Sequence, residues 1–227
     1  MWAGVRVGRI SGAGRGLGAV RPAPGVLRVR GWRTTASECR QHAPWARPDA
    51  GSMPTYTPLP IPPTALKELR DTDDAGRPAE PFTARTDGVP LDCVGSLLRC
   101  CLRDIRAGEP VALVSYAPLR RWAAATGARP GAYDETGPVF IHAADCAGPD
   151  ATATGEGYPA GRPGGLRTVR RYDADGHIAG GRLLEIPEEA AAGFDAAFDE
   201  AFADPQVVLV HVRAVEYGCY LYEVRRP

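Results

Sequence analysis

The chain has 227 residues, with 27 basic and 27 acidic side chains and a formal net charge of zero, a length that suits one domain of moderate size plus a tail. No apolar run approaches the roughly 18 residues a membrane helix needs, so no membrane partner is expected. From Met53 onward 18 basic residues face 25 acidic ones, a net of −7, and so acidic a domain is a poor electrostatic partner for nucleic acid.

Residues 1–52 differ from the rest. Residues 1–37 carry seven arginines and no Asp or Glu, which predicts a disordered tail, an organelle-targeting segment or an over-long start before Met53. Ser11–Gly18, S-G-A-G-R-G-L-G, imitates a glycine-rich phosphate turn through Gly12, Gly16 and Gly18. Its setting fails, because the strand before it is weak and A-V-R-P-A-P-G after it breaks any helix. Nucleotide binding is therefore not expected there. Five of the six cysteines follow Met53. They cannot all pair with one another and no secretory signal precedes them, so reduced thiols in a cytoplasm are expected.

Residues 53–80 read as an extended, proline-rich lead-in with a short helix opened by Thr64. A single α+β domain is expected over 81–227. Leu97–Leu102 and Val111–Tyr116 suggest a hairpin turning at Ala107-Gly108-Glu109. Alternation then puts Arg99, Cys101 and Arg103 on one face and Cys100 on the other, as a core residue. Ala117–Gly137 reads as a long loop with two short turns, leading to a brief strand at Gly137–His142. A loop containing Cys146 and Tyr158 follows.

Leu166–Asp173 and His177–Glu185 form a second hairpin around Asp173-Ala174-Asp175-Gly176, with a bulge or a close backbone approach suggested at Gly180-Gly181. Pro187–Ala203 is the clearest helix, with Pro187, Glu188 and Glu189 in its first turn and Phe194, Phe198 and Phe202 on one side. Val207–Arg213 and Cys219–Val224 form a terminal hairpin. Val208, Val210 and Val212 share one face of it with Tyr220, Tyr222 and Val224. His211, Arg213, Cys219 and Glu223 then share the other. The expected architecture is an antiparallel sheet built from hairpins, with one long amphipathic helix packed on one face.

Several local patterns occur together: Arg99-Cys100-Cys101-Leu102-Arg103, Gly108-Glu109, Ser115-Tyr116, and Gly137-Pro138-Val139-Phe140-x-His142-Ala143-x-x-Cys146. Tyr158-Pro159, Arg170-x-Tyr172, His211-x-Arg213 and Gly218-Cys219 complete the set. The set resembles a bacterial family known as domain of unknown function 1203, over roughly Phe82–Arg225. The resemblance implies a compact bacterial domain and brings no activity.

Three site chemistries follow from the residues. Cysteine–histidine catalysis needs a thiolate and a base within reach. Cys219 with His211 supplies one candidate pair, beside Arg213, and Cys146 with His142 supplies another. Arg99, Arg103, Arg170 and Arg213 sit among apolar neighbours, and together with Tyr172 they either pair with internal carboxylates or converge on a small anionic ligand. His142, Cys146, His211 and Cys219 offer the ligand types of a tetrahedral zinc site, but their spacing matches no zinc signature, so no metal and no cofactor are expected. The leading expectation is a domain that binds or acts on a small anionic metabolite. The alternatives are a non-catalytic structural or interaction domain and, third, a His/Cys zinc-binding domain. Whether the chain is an enzyme stays open.

Overall fold

The computed structural model describes residues 55–87, 93–149 and 157–227. The expected tail at 1–52 and the glycine-rich turn within it lie outside the described residues. The elements, in order, are α1 (Pro63–Leu69), β1 (Pro81–Thr83), β2 (Pro110–Tyr116), α2 (Pro118–Thr126), β3 (Gly137–His142), β4 (Leu166–Tyr172), β5 (Ile178–Glu185), α3 (Ala190–Ala203), β6 (Leu209–Ala214) and β7 (Tyr220–Arg225). The fold is α+β. The strands form two antiparallel sheets where one was expected, in the orders β1-β2-β3 and β5-β4-β6-β7.

The four-stranded sheet contains both hairpins read from the alternation. Val210 pairs with Val224 and Val212 with Tyr222, so their side chains share a face, as a period of two requires. That face meets α3 through Phe194 and Phe198, with Val169 and Leu184 filling the same core. The helix starts at Ala190, later than expected, and Glu188 and Glu189 precede it. Pro187 lies against Gly193, where an added Cβ would stand 2.6 Å from the proline Cγ, so glycine lets the entering chain pack on the first turn. The bulge falls at Ala179, next to the expected Gly180-Gly181, with the register shifting at Arg171/Tyr172, and Gly180 is closely approached by the Arg171 guanidinium.

The three-stranded sheet departs from the expectation. The partner of β2 is not Leu97–Leu102 but β3 on one side and β1 on the other. Leu97–Asp104 instead closes on itself, with Leu102 at φ 58°. A non-glycine residue rarely takes that conformation, so nothing in the sequence announces the reversal. Ile61, Leu66 and Leu69 of the lead-in bury with Val111, Val114 and Ile141 of this sheet. A nine-residue α2 replaces part of the expected loop. It opens at Pro118 and ends on Gly127 at φ 80°, a left-handed cap that glycine adopts without a Cβ clash.

Candidate functional site

The closed turn at Leu97–Asp104 positions the site. Leu98 N–H donates to Arg103 O at 2.8 Å and Leu102 N–H donates to Leu98 O at 2.8 Å. Arg99 N–H donates to Phe140 O at 2.9 Å, which ties the turn to β3. Because the chain coils here rather than extending, Cys100 and Cys101 do not point to opposite faces. Both sulfurs turn toward His142, the last residue of β3. Cys100 Sγ lies 3.2 Å from His142 Nδ1 and Cys101 Sγ 3.9 Å from it, while the two sulfurs are 4.0 Å apart. His142 N–H also donates to Cys100 Sγ at 3.3 Å. Cys146, four residues further on, adds a third sulfur, and all four donor atoms lie within 4.8 Å of one another.

The His142 ring is oriented from its far side. Arg103 donates to Nε2 at 3.0 Å while its fork holds Glu109 at 2.7 and 3.0 Å. A guanidinium only donates, so Nε2 accepts and the ring proton is assigned to Nδ1, facing the sulfurs. Arg106 N–H donates to Glu109 at 2.9 Å, and the Arg103 contacts first, then Arg106, hold that carboxyl below its ordinary range. Arg70 donates to His142 O at 3.2 Å and pairs with Asp145 at 2.8 Å, fixing the path from His142 to Cys146.

The two vicinal thiols are shifted in opposite directions. The hydrogen bond from Cys100 draws the Cys101 thiol down to about 6 against the effect of burial, helped by the Arg103 backbone N–H and the Arg103 charge. The same bond and burial push Cys100 up. The contacts thus run in a chain from Arg103 to His142, from His142 to Cys100 Sγ and from Cys100 Sγ to Cys101 Sγ.

The other expected site residues divide differently. His142 and Cys146 are brought together, as one of the two catalytic pairings required. His211 and Cys219 are not. The register shifts at Val212/Arg213, so that Arg213 faces Tyr220 and Leu221 is the extra residue. A bulge re-aims the side chains beyond it. Tyr220 therefore turns onto the His211 face, its ring 5.1 Å from the imidazole, and Cys219 makes its hydrogen bond to Tyr217 O. His211 is fully buried between Tyr172 and Tyr220 and meets Glu223 at 3.3 Å. Burial pushes its imidazole below the ordinary range, only partly offset by Glu223.

Arg170 and Arg213 share Glu135, which lies 3.0 Å from Arg213, and Arg103 holds Glu109. Internal pairing thus answers the expectation for these three. Arg99 is the exception and, among the described residues, bonds only to carbonyl oxygens, those of Tyr220 and Leu97. Cys100 is buried, as expected of a core residue, but its thiol faces His142 rather than an apolar neighbour alone. The adjacent pair Cys100-Cys101 is the element that sequence reasoning missed. A strand assignment separates vicinal side chains, and only a turn brings them to one side.

The molecule is therefore an α+β domain of two antiparallel sheets with a three-cysteine, one-histidine cluster between a tight turn and a strand end. The chain belongs to the family described as "Protein of unknown function (DUF1203)", which matches residues 95–226 and includes all four members of the cluster. No curated protein and no solved structure matches the chain.

Proposed function

We propose that the domain binds zinc through Cys100 Sγ, Cys101 Sγ, His142 Nδ1 and Cys146 Sγ. The observation that carries this reading is the mutual spacing of the four donor atoms. A tetrahedral zinc with ordinary Zn–S and Zn–N lengths has ligand-to-ligand edges of about 3.5–3.8 Å. The three separations of 3.2, 3.9 and 4.0 Å bracket that range, so small side-chain adjustments bring the set onto an ion. The quartet weighed from the sequence mixed two regions; this one is drawn from a single region.

Four protein ligands fill a tetrahedron, which makes the site closed and structural. The metal would staple the 97–104 turn to the end of β3 and to the loop reaching Cys146. Three thiolates around a divalent ion leave one negative charge, which Arg103 faces. Binding at Nδ1 moves the ring proton to Nε2, where Arg103 now donates. Glu109, already held by Arg103, is the acceptor placed to take that proton's hydrogen bond, as second-shell carboxylates do for metal-bound histidine. The thiols must stay reduced to bind, and we therefore keep a cytoplasmic setting within the proposal.

A second reading is favoured by one observation. The Arg103 contact to Nε2 suits metal-free imidazole, with Cys101 as a reactive thiolate and Cys100 or Cys146 as its resolving partner. Elemental analysis of protein purified without chelator separates the two. The zinc reading expects one zinc per chain, lost in His142→Ala and Cys146→Ser and retained in Cys219→Ser. Metal-free protein that carries a rapidly alkylated Cys101 and gains no stability from added zinc would favour the thiol reading instead.

A further inference from the structure

We propose that the cleft beside Arg99, on the other side of the 97–104 turn, binds a small monocarboxylate with a hydrocarbon body. The cleft has a volume of about 790 Å³, within the usual size of small-molecule sites. It lies outside the cysteine cluster and does not depend on the metal reading.

Three features define its ligand. The first is an uncompensated charge. Arg99 is 5 % exposed, and a buried guanidinium normally has an anionic partner. Arg99 donates to Tyr220 O at 2.9 Å and to Leu97 O, and among the described residues no carboxylate pairs with it.

The second is a neighbouring, partly buried guanidinium that also has no carboxylate partner among the described residues. Arg167 donates to Leu166 O at 2.6 Å and to Ala160 O at 2.8 Å. Its Nε is buried and has no partner among the described residues. The lining also includes Arg162, paired with Asp104 at 2.6 Å, and Glu216. Three guanidiniums against two carboxylates leave one positive charge, which matches a monoanion. A dianionic phosphate would leave an excess negative charge.

The third is the wall. Leu113, Phe140 and Leu221 line the same cleft, and Leu113 is an exposed large apolar side chain. An anion recognised by guanidinium charge at one end and apolar walls along its body is a carboxylate carrying an alkyl or aryl group.

The test titrates the full chain with hexanoate, hexanol and hexyl phosphate at fixed ionic strength, by calorimetry. Hexanoate is expected to bind at least tenfold more tightly than either of the others. Arg99→Gln is expected to weaken hexanoate at least tenfold and to leave hexanol unchanged. Because Arg99 also holds two carbonyls, that variant is checked for folding by circular dichroism. If it does not fold, Arg167→Gln decides, with an expected three- to tenfold loss. Equal binding of hexanol and hexanoate would reduce the cleft to an apolar groove and overturn the proposal. Tighter binding of hexyl phosphate, no binding of hexanoate, or unchanged hexanoate affinity in the deciding variant would overturn it as well.

Discussion

The β6–β7 hairpin and the Leu97–Asp104 turn both bring His, Cys and Arg residues into play, and they treat them in opposite ways. In the hairpin the charged side chains meet oppositely charged or acceptor groups. His211 meets Glu223, and Arg213 meets Glu135, which also holds Arg170. At the turn, three sulfurs gather on one imidazole nitrogen, and thiols are weak hydrogen-bond partners for one another. The hairpin's charged groups are thus paired within the protein, while His211 Nδ1 and Arg213 Nη1 make no hydrogen bond among the described residues. The turn's set is satisfied best by something added, and that contrast separates a structural polar network from a binding site.

The largest expected effect comes from removing the metal ligand shared by all the sulfurs. With free zinc a thousandfold above its Kd, binding stabilises the folded state by about 4 kcal/mol. His142→Ala should lose that increment, seen as a melting temperature that no longer responds to zinc or chelator. An equal zinc response in wild type and variant would break the comparison. In the hairpin, Val210→Ala should cost about 1–3 kcal/mol for the cavity it opens. Arg213→Ala should cost about 1–3 kcal/mol for the contacts it removes, since Glu135 keeps Arg170. Urea melts measure both. Neither substitution should change the zinc content, and loss of metal in either would mean that the two regions are coupled.

Smaller effects sharpen the contrast. Glu109→Gln should weaken zinc binding about tenfold to a hundredfold, the usual consequence of altering a second-shell partner. Competition with a chromophoric chelator reads that change, and an unaltered affinity would remove Glu109 from the proposed role. Acid probes the hairpin. The folded pKa of His211 lies below its unfolded value of about 6.5. The neutral ring therefore contributes stability above the unfolded value, and that contribution is lost as pH falls through the folded one. Melting temperature should fall between pH 7 and 5, and His211→Phe should flatten that slope.

Much of the four-stranded sheet was legible because its strands alternate and its turns carry strong signals. Asp173-Ala174-Asp175-Gly176 marks one hairpin, and the valines and tyrosines of 207–224 mark the other. The bulge at Val212/Arg213 was not legible, because it follows from pairing geometry rather than from any residue that demands it. That single extra residue undid the expected His211–Cys219 pairing. The three-stranded sheet was read poorly because Leu97–Leu102 has strand-like composition, while the left-handed Leu102 turns it back on itself. Half of the cluster was legible as His142-x-x-x-Cys146. The other half required knowing that Cys100 and Cys101 sit in a turn, where adjacent side chains face one way.

Zinc-edge X-ray absorption on the purified protein tests the central claim most directly, because it reads the identity and distance of the donor atoms. Three sulfurs at about 2.3 Å and one nitrogen at about 2.0–2.1 Å around each zinc are expected, and the same shell in Cys219→Ser. A shell of nitrogen and oxygen alone, or protein that takes up no zinc, would contradict the account.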